Sequence, residues 1–90
     1  MEVVWLEKAV ADLEQIDAWL SRIENANPAT VRKRIRRAID SLTRLGDIGR
    51  PSRTEGFREL SVRNAPYVIA YRVREGRIEV SAIFHMAQER

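Results

Sequence analysis

Ninety residues suffice for one domain around a single hydrophobic core and leave no room for a second lobe. The chain has no Cys and one His, which excludes disulfides, thiolate nucleophiles, Cys-ligated zinc and a His-rich metal site. The net charge of +3 hides a division: residues 1–27 carry two bases against six acids, a net −4, and residues 28–90 carry fourteen bases against seven acids, a net +7. A basic portion of that size suits a polyanionic or acidic partner, and its bias to Arg over Lys suits bidentate contacts to carboxylates or phosphates. The opening Met1-Glu2-Val3-Val4-Trp5 lacks the basic and apolar regions of a secretory signal, and no run reaches membrane-spanning length, so the expected location is the cytoplasm, with no membrane partner.

In chain order, residues 2–6 read as a short strand. Helical spacing then takes over: Leu6, Ala9, Leu13, Ile16, Leu20 and Ile23 recur at intervals of 3 and 4, one stripe of an amphipathic helix running to about Asn25. Val10 and Trp19 widen this stripe, and both are expected in the core. Asn25-Ala26-Asn27-Pro28 breaks the helix and starts another, with Asn27 as cap and Pro28 in the first turn. Val31, Ile35, Ala38, Leu42 and Leu45 continue at the same spacing, with Ile39 beside them, to a stop at Gly46. Two such stripes across a short break predict an antiparallel helical hairpin. The outer face of the second helix carries Arg32, Lys33, Arg34, Arg36 and Arg37; no aromatic residue interleaves them to stack bases, so a solvated face is the expected reading.

Residues 46–53 read as a connecting loop without phosphate-loop spacing. From Phe57 the period falls to two. Leu60 and Val62 point one way; Tyr67, Ile69, Tyr71 and Val73 alternate with Val68, Ala70 and Arg72; Ile78, Val80, Ala82 and Phe84 alternate with Glu79, Ser81, Ile83 and His85. Glu75-Gly76 is the turn of a hairpin between the last two strands. One sheet face is expected against the helices, leaving the other partly open.

The residues able to carry chemistry are Arg58, Glu59, Arg63, Tyr67, Tyr71, Arg72 and His85. Uninterrupted alternation permits Arg72 and His85 to share the open face. An Arg set with one His suits a phosphodiester site in which Arg stabilises developing charge and His or Glu moves the proton, and the RNA 2′-hydroxyl as nucleophile would require no metal. The structural alternative has His85 ending a strand with a local hydrogen bond and Arg58 paired to a carboxylate.

The order strand, helix, helix, three antiparallel strands resembles the RelE/ParE superfamily of bacterial type II toxin–antitoxin systems over the whole chain. The resemblance rests on Ala11-Asp12-Leu13, Asn27-Pro28, Gly49-Arg50-Pro51, Phe57-Arg58-Glu59-Leu60, Pro66-Tyr67-Val68-Ile69-Ala70-Tyr71-Arg72 and Ala82-Ile83-Phe84-His85. It implies a toxin neutralised by a cognate antitoxin whose extended C-terminal segment covers the active surface. Members of the RelE-like branch cut mRNA on the ribosome; ParE-like members poison DNA gyrase by binding. The RelE-like branch typically places a basic residue after the Tyr that starts the third strand, where this chain has Val68, and basic residues on the preceding strand, where it has Glu59 and Ser61. No aromatic residue follows Phe84. The Asn27-Pro28 junction and the closing Ala82-Ile83-Phe84-His85 look more like ParE.

The expectation is therefore one α+β domain over residues 1–90: an N-terminal strand and an antiparallel two-helix hairpin packed on a small, mostly antiparallel four-stranded sheet. The resemblance implies a ParE-like toxin partnered by a ParD-like antitoxin and by DNA gyrase, with no cofactor and no metal. Arg58, Arg63, Tyr67, Tyr71, Arg72 and His85 are the candidate target-binding surface near one sheet face. The alternative is a RelE-like ribonuclease acting on ribosome and mRNA, with His85 as acid or base and Arg58 and Arg72 as charge stabilisers.

Overall fold

A computed structural model describes residues 1–87. Its elements are β1 (Glu2–Trp5), α1 (Glu7–Leu20), α2 (Pro28–Leu45), β2 (Arg50–Pro51), β3 (Arg58–Ser61), β4 (Tyr67–Arg74) and β5 (Arg77–His85). The strands form one sheet in the order β1-β5-β4-β3-β2. β1 runs parallel to β5, and every other pairing is antiparallel. Two helices against a mostly antiparallel sheet give the expected α+β architecture. The sheet has a fifth strand beyond the four expected, because Arg50-Pro51 pairs with Arg58 and Glu59 inside what read as a plain loop. Pro51 is tolerated there because β2 is an edge, where a missing N–H costs no ladder bond.

Local chemistry sets most boundaries. The Asn27 side chain accepts a hydrogen bond from the Thr30 N–H at 3.2 Å, and Pro28 occupies the first turn of α2. Gly46 ends α2 at φ +82°, a conformation that disfavours any Cβ. Glu75 and Gly76 both have positive φ, as the tight β4–β5 turn requires. α1 ends at Leu20, earlier than the apolar periodicity suggests: the Ser21 hydroxyl donates to the Asp17 carbonyl at 2.8 Å, and tight backbone bonds Arg22 N–H to Trp19 and Ile23 N–H to Leu20 turn the chain. The short connection folds α2 back along α1, where Arg32 forms an ion pair with Asp17.

The core lies between the helices and one sheet face. Ala9, Ile35, Ile39 and Leu42 meet Ile69, Tyr71, Ile78, Val80 and Ile83 there, all 4% exposed or less. The alternation along β5 is interrupted. Ala70 pairs with Ala82 but the next residue, Tyr71, pairs with Val80, so Ser81 is an extra residue, and its hydroxyl donates to the Ala70 carbonyl at 3.1 Å. This bulge exchanges the two faces. Ile78 and Val80 enter the core as expected, but Ile83, not Ala82 or Phe84, continues with them.

Candidate functional site

The open face of the sheet is built from cross-strand rows fixed by the register. Arg72 pairs with Glu79; Glu59, Ala70 and Ala82 form the next row; Ser61, Val68 and Phe84 form the last. α1 walls one side of this face. β1 pairs with β5 only as far as Val80, after which the Leu6 N–H donates to the Val80 carbonyl at 3.0 Å and the chain leaves as α1. The uncovered edge of β5 is then capped by a side chain: the Asp12 carboxylate accepts from the Ile83 N–H at 3.0 Å. Lys8, one turn earlier, holds that carboxylate at 2.9 Å.

Between α1 and the segment 52–57 lies an open groove of about 1010 Å³. Gln15, Ile16 and Trp19 rim it from α1, Phe57 rims it from the opposite side, and Ala70, Ala82 and Phe84 lie along its sheet side. The two alanines leave depth that larger residues would fill. Trp19 is 51% exposed and Val10 43%, against the expectation that both belong to the core. The core-directed stripe of α1 is narrower than the sequence suggests, because the helix crosses a sheet edge and leaves part of its apolar surface over the groove.

Charge beside the groove is organised in pairs. Arg72 Nε donates to Glu79 Oε1 at 2.6 Å, and its guanidinium lies 5.0 Å from the centre of the Phe57 ring. The Arg72 hydrogen bond is the chief cause that holds the Glu79 carboxyl below its ordinary value. Glu59, 2% exposed, is paired with Arg50 at 3.3 Å.

The six residues expected near one face are distributed over three places. Arg58 and Tyr71 form a clamp on the helix-facing side. The Tyr71 hydroxyl accepts from the Gly49 N–H at 2.7 Å and donates to Asp47 Oδ1 at 2.9 Å. Arg58 bonds Asp47 Oδ2 at 3.0 Å and the Gly49 carbonyl at 2.9 Å. Burial, reinforced by Asp47 and partly offset by the Gly49 bond, pushes the Tyr71 hydroxyl up to about 12. Tyr67 and His85 form a second cluster, an edge-to-face pair with ring centres 5.5 Å apart. Tyr67 is nearly buried, and burial pushes its hydroxyl pKa up. His85 Nδ1 accepts from the Ala87 N–H at 3.0 Å, a local strand-end bond. Arg72 is on the opposite face, so the expectation that it and His85 share one face is corrected: the Ser81 bulge moves His85 to the side of Tyr67. Arg63 is exposed in the β3–β4 turn.

The dispersal bears on chemistry. Tyr67, the partner of His85, precedes Arg72 by five positions on β4, about 17 Å at strand rise, and the two side chains leave opposite faces. Arg58 is committed to Asp47 and Gly49. A shared phosphodiester requires acid, base and charge stabiliser within hydrogen-bond reach of one phosphate, and these three do not meet that condition here. Among the described residues no group of three or more His, Asp or Glu is placed to hold a metal ion, and no helix is long and apolar enough to cross a membrane.

The open-face residues Phe57, Glu79 and Phe84, with Trp19 and Asp12, were not singled out as site residues by sequence reasoning. Only Trp19 left a usable signal, an aromatic one turn beyond Gln15 and Ile16 on the same side of α1.

Comparison with known proteins agrees with this architecture. Residues 3–90 match the family model described as ParE toxin of type II toxin-antitoxin system, parDE. The chain belongs to the ParE toxin family. Toxin RelE2 of Caulobacter vibrioides is 34% identical over 87 residues, covering 97% of each protein. Toxin Y4kP of Sinorhizobium fredii is 32% identical over 85 residues, 94% of this chain and 88% of that protein. Among solved structures, the chromosomal ParDE system of P. aeruginosa superposes with a TM-score of 0.72 at 26% identity, covering 94% of this chain and 95% of that one. The E. coli RelBE complex superposes at 0.68 with 14% identity over 99% and 98% of the two chains, a likeness of fold alone. The ParE and RelE branches thus share the scaffold described above.

Proposed function

We propose that this ParE-family toxin acts in the cytoplasm by binding DNA gyrase and stabilising its cleaved-DNA state, and that a ParD-like antitoxin neutralises it. The observation that carries the proposal is the separation of His85, Arg58 and Arg72: this candidate set for RNA cleavage is split between two sheet faces, with Arg58 bonded to the Gly49 loop and His85 in a local strand-end bond. A binding toxin needs a surface, and the α1 groove with Trp19, Phe57 and Phe84 supplies apolar anchors beside the Arg72–Glu79 pair. Of the expected target surface, Arg63 is exposed and Arg58, Arg72 and His85 are half-exposed; Tyr67 and His85 line the groove, and Tyr71 is buried beneath the surface. An antitoxin segment laid in the same groove would both gain those anchors and deny the surface to the target. The solved ParDE and RelBE systems favour such a partner, as does the +7 charge of residues 28–90 toward an acidic tail.

A second reading has one specific support: the relative at 34% identity is named a RelE toxin. Mapping mRNA 5′ ends after induction separates the two. The gyrase reading expects no codon-positioned cuts together with induction of the DNA-damage response. Cuts phased to the reading frame on translated messages would replace it with the ribonuclease.

A further inference from the structure

Part of the basic outer face of α2 is used neither by the groove nor by the fold. Two of its bases act as struts: Arg32 pairs with Asp17 on α1, and the Arg34 guanidinium donates to the Asn64 carbonyl at 2.7 Å, fastening the β3–β4 turn. Lys33, Arg37 and Arg44 do neither. All three are exposed, and among the described residues none has a carboxylate within ion-pair distance. Their separations of 4 and 7 residues place them within about 40° of one another around the helix and along about 17 Å of its axis. Arg36 flanks them beside Glu14 and Asp40, and Asp40 is the only acid in α2.

We propose that this stripe is a sequence-independent binding surface for the phosphate backbone of duplex DNA. Rigidity supports it. Ile35, Ile39 and Leu42 bury the opposite face of α2, Asn27 caps its start, and the Arg32 and Arg34 struts fix its rotation, so the three cations are held in line without further ordering. Unpaired cations at Lys33 and Arg37, one helical turn apart, repel and stabilise nothing in the folded chain. Along 17 Å a B-form strand presents several phosphates, enough to engage all three, and Arg and Lys are the usual backbone contacts. Single-stranded nucleic acid fits less well because no aromatic side chain lies in α2 to stack bases. An acidic peptide fits less well because no large hydrophobic residue between Lys33 and Arg44 is exposed to anchor it. The inference does not rest on the gyrase reading, and its test contains no gyrase.

The test is fluorescence anisotropy of a labelled 24-base-pair duplex of arbitrary sequence, titrated with the purified full-length chain at several salt concentrations. Three phosphate contacts predict a slope of log affinity on log salt near −3, about a 40-fold weakening from 50 to 200 mM salt. The variant K33Q/R37Q/R44Q, which keeps good helix formers, should lose at least about tenfold in affinity and most of the slope. The charge-matched variant R22Q/R74Q/R77Q should retain most of both. Circular dichroism on both variants checks that the fold is kept. No salt-dependent duplex binding by the wild type overturns the proposal. So does equal loss in the two variants, or retained binding in a folded K33Q/R37Q/R44Q. Preference for a poly-glutamate peptide or for single-stranded DNA over the duplex also overturns it and reassigns the stripe to that ligand.

Discussion

Replacing Tyr71 by Phe tests whether this tyrosine is a structural clamp. The ring is fully buried and stays; only the hydroxyl is lost. Its loss strands the Gly49 N–H, which now donates to it at 2.7 Å in a buried position. An unsatisfied buried donor costs about 1–3 kcal/mol. Asp47 also loses a 2.9 Å bond, but it is exposed and keeps Arg58, so that contribution is small. We therefore expect a destabilisation of about 2 kcal/mol, or a Tm lower by about 8–16 °C for a domain of this size. Thermal unfolding followed by circular dichroism reads it directly. The same hydroxyl sets an alkaline limb. Its folded value of about 12 lies above the ordinary tyrosine value of 10.0, so its stabilising effect is complete below the lower value and lost as pH rises through the higher one. In wild type this costs on the order of 2 kcal/mol over that window, and Tyr71→Phe should flatten the decline. A Tm within about 2 °C of wild type, with an unchanged alkaline limb, would refute the clamp.

Gly49→Ala attacks the same joint from the other side: a Cβ there would lie 2.6 Å from both the Glu59 carbonyl and the Tyr71 hydroxyl, so we expect a loss of about 1–3 kcal/mol in urea unfolding, and an unchanged midpoint would contradict the close approach. Glu79→Gln removes a carboxylate whose pKa is lowered mainly by Arg72; that stabilisation is present above the ordinary carboxylate value and lost as pH falls through the lower folded one, so the variant's urea midpoint should decline less on acidification than wild type's. Equal acid limbs in the two proteins would count against it. Trp19→Ala should change stability by less than about 1 kcal/mol, because the ring is 51% exposed, yet weaken the cognate antitoxin at least about tenfold by calorimetry if the groove is its seat; unaltered affinity would move the antitoxin elsewhere.

Elements governed by local chemistry were legible in the sequence. The two helices, the Asn27-Pro28 start of α2, its Gly46 end and the Glu75-Gly76 turn each depend on residues within a few positions of one another, and each is found, although α1 ends earlier than its apolar stripe. Features set by distant partners were not. The Ser81 bulge has no composition signal, yet it decides which face receives Phe84 and which receives His85, and with that it separates His85 from Arg72. Tyr71 reads as a planar hydrogen-bonding residue on a strand; only the return of Asp47, 24 positions away, turns it into a clamp. Trp19 follows the apolar period of α1, and its exposure comes from the angle at which that helix leaves β1 to cover the edge of β5.

The central claim is that this toxin acts by binding gyrase. Purified gyrase, ATP and relaxed plasmid, incubated with and without the folded toxin, test it most directly. The account predicts lost supercoiling together with accumulated linear plasmid, both relieved by the cognate antitoxin. Undiminished supercoiling without linear product, from toxin that still binds its antitoxin, would contradict it.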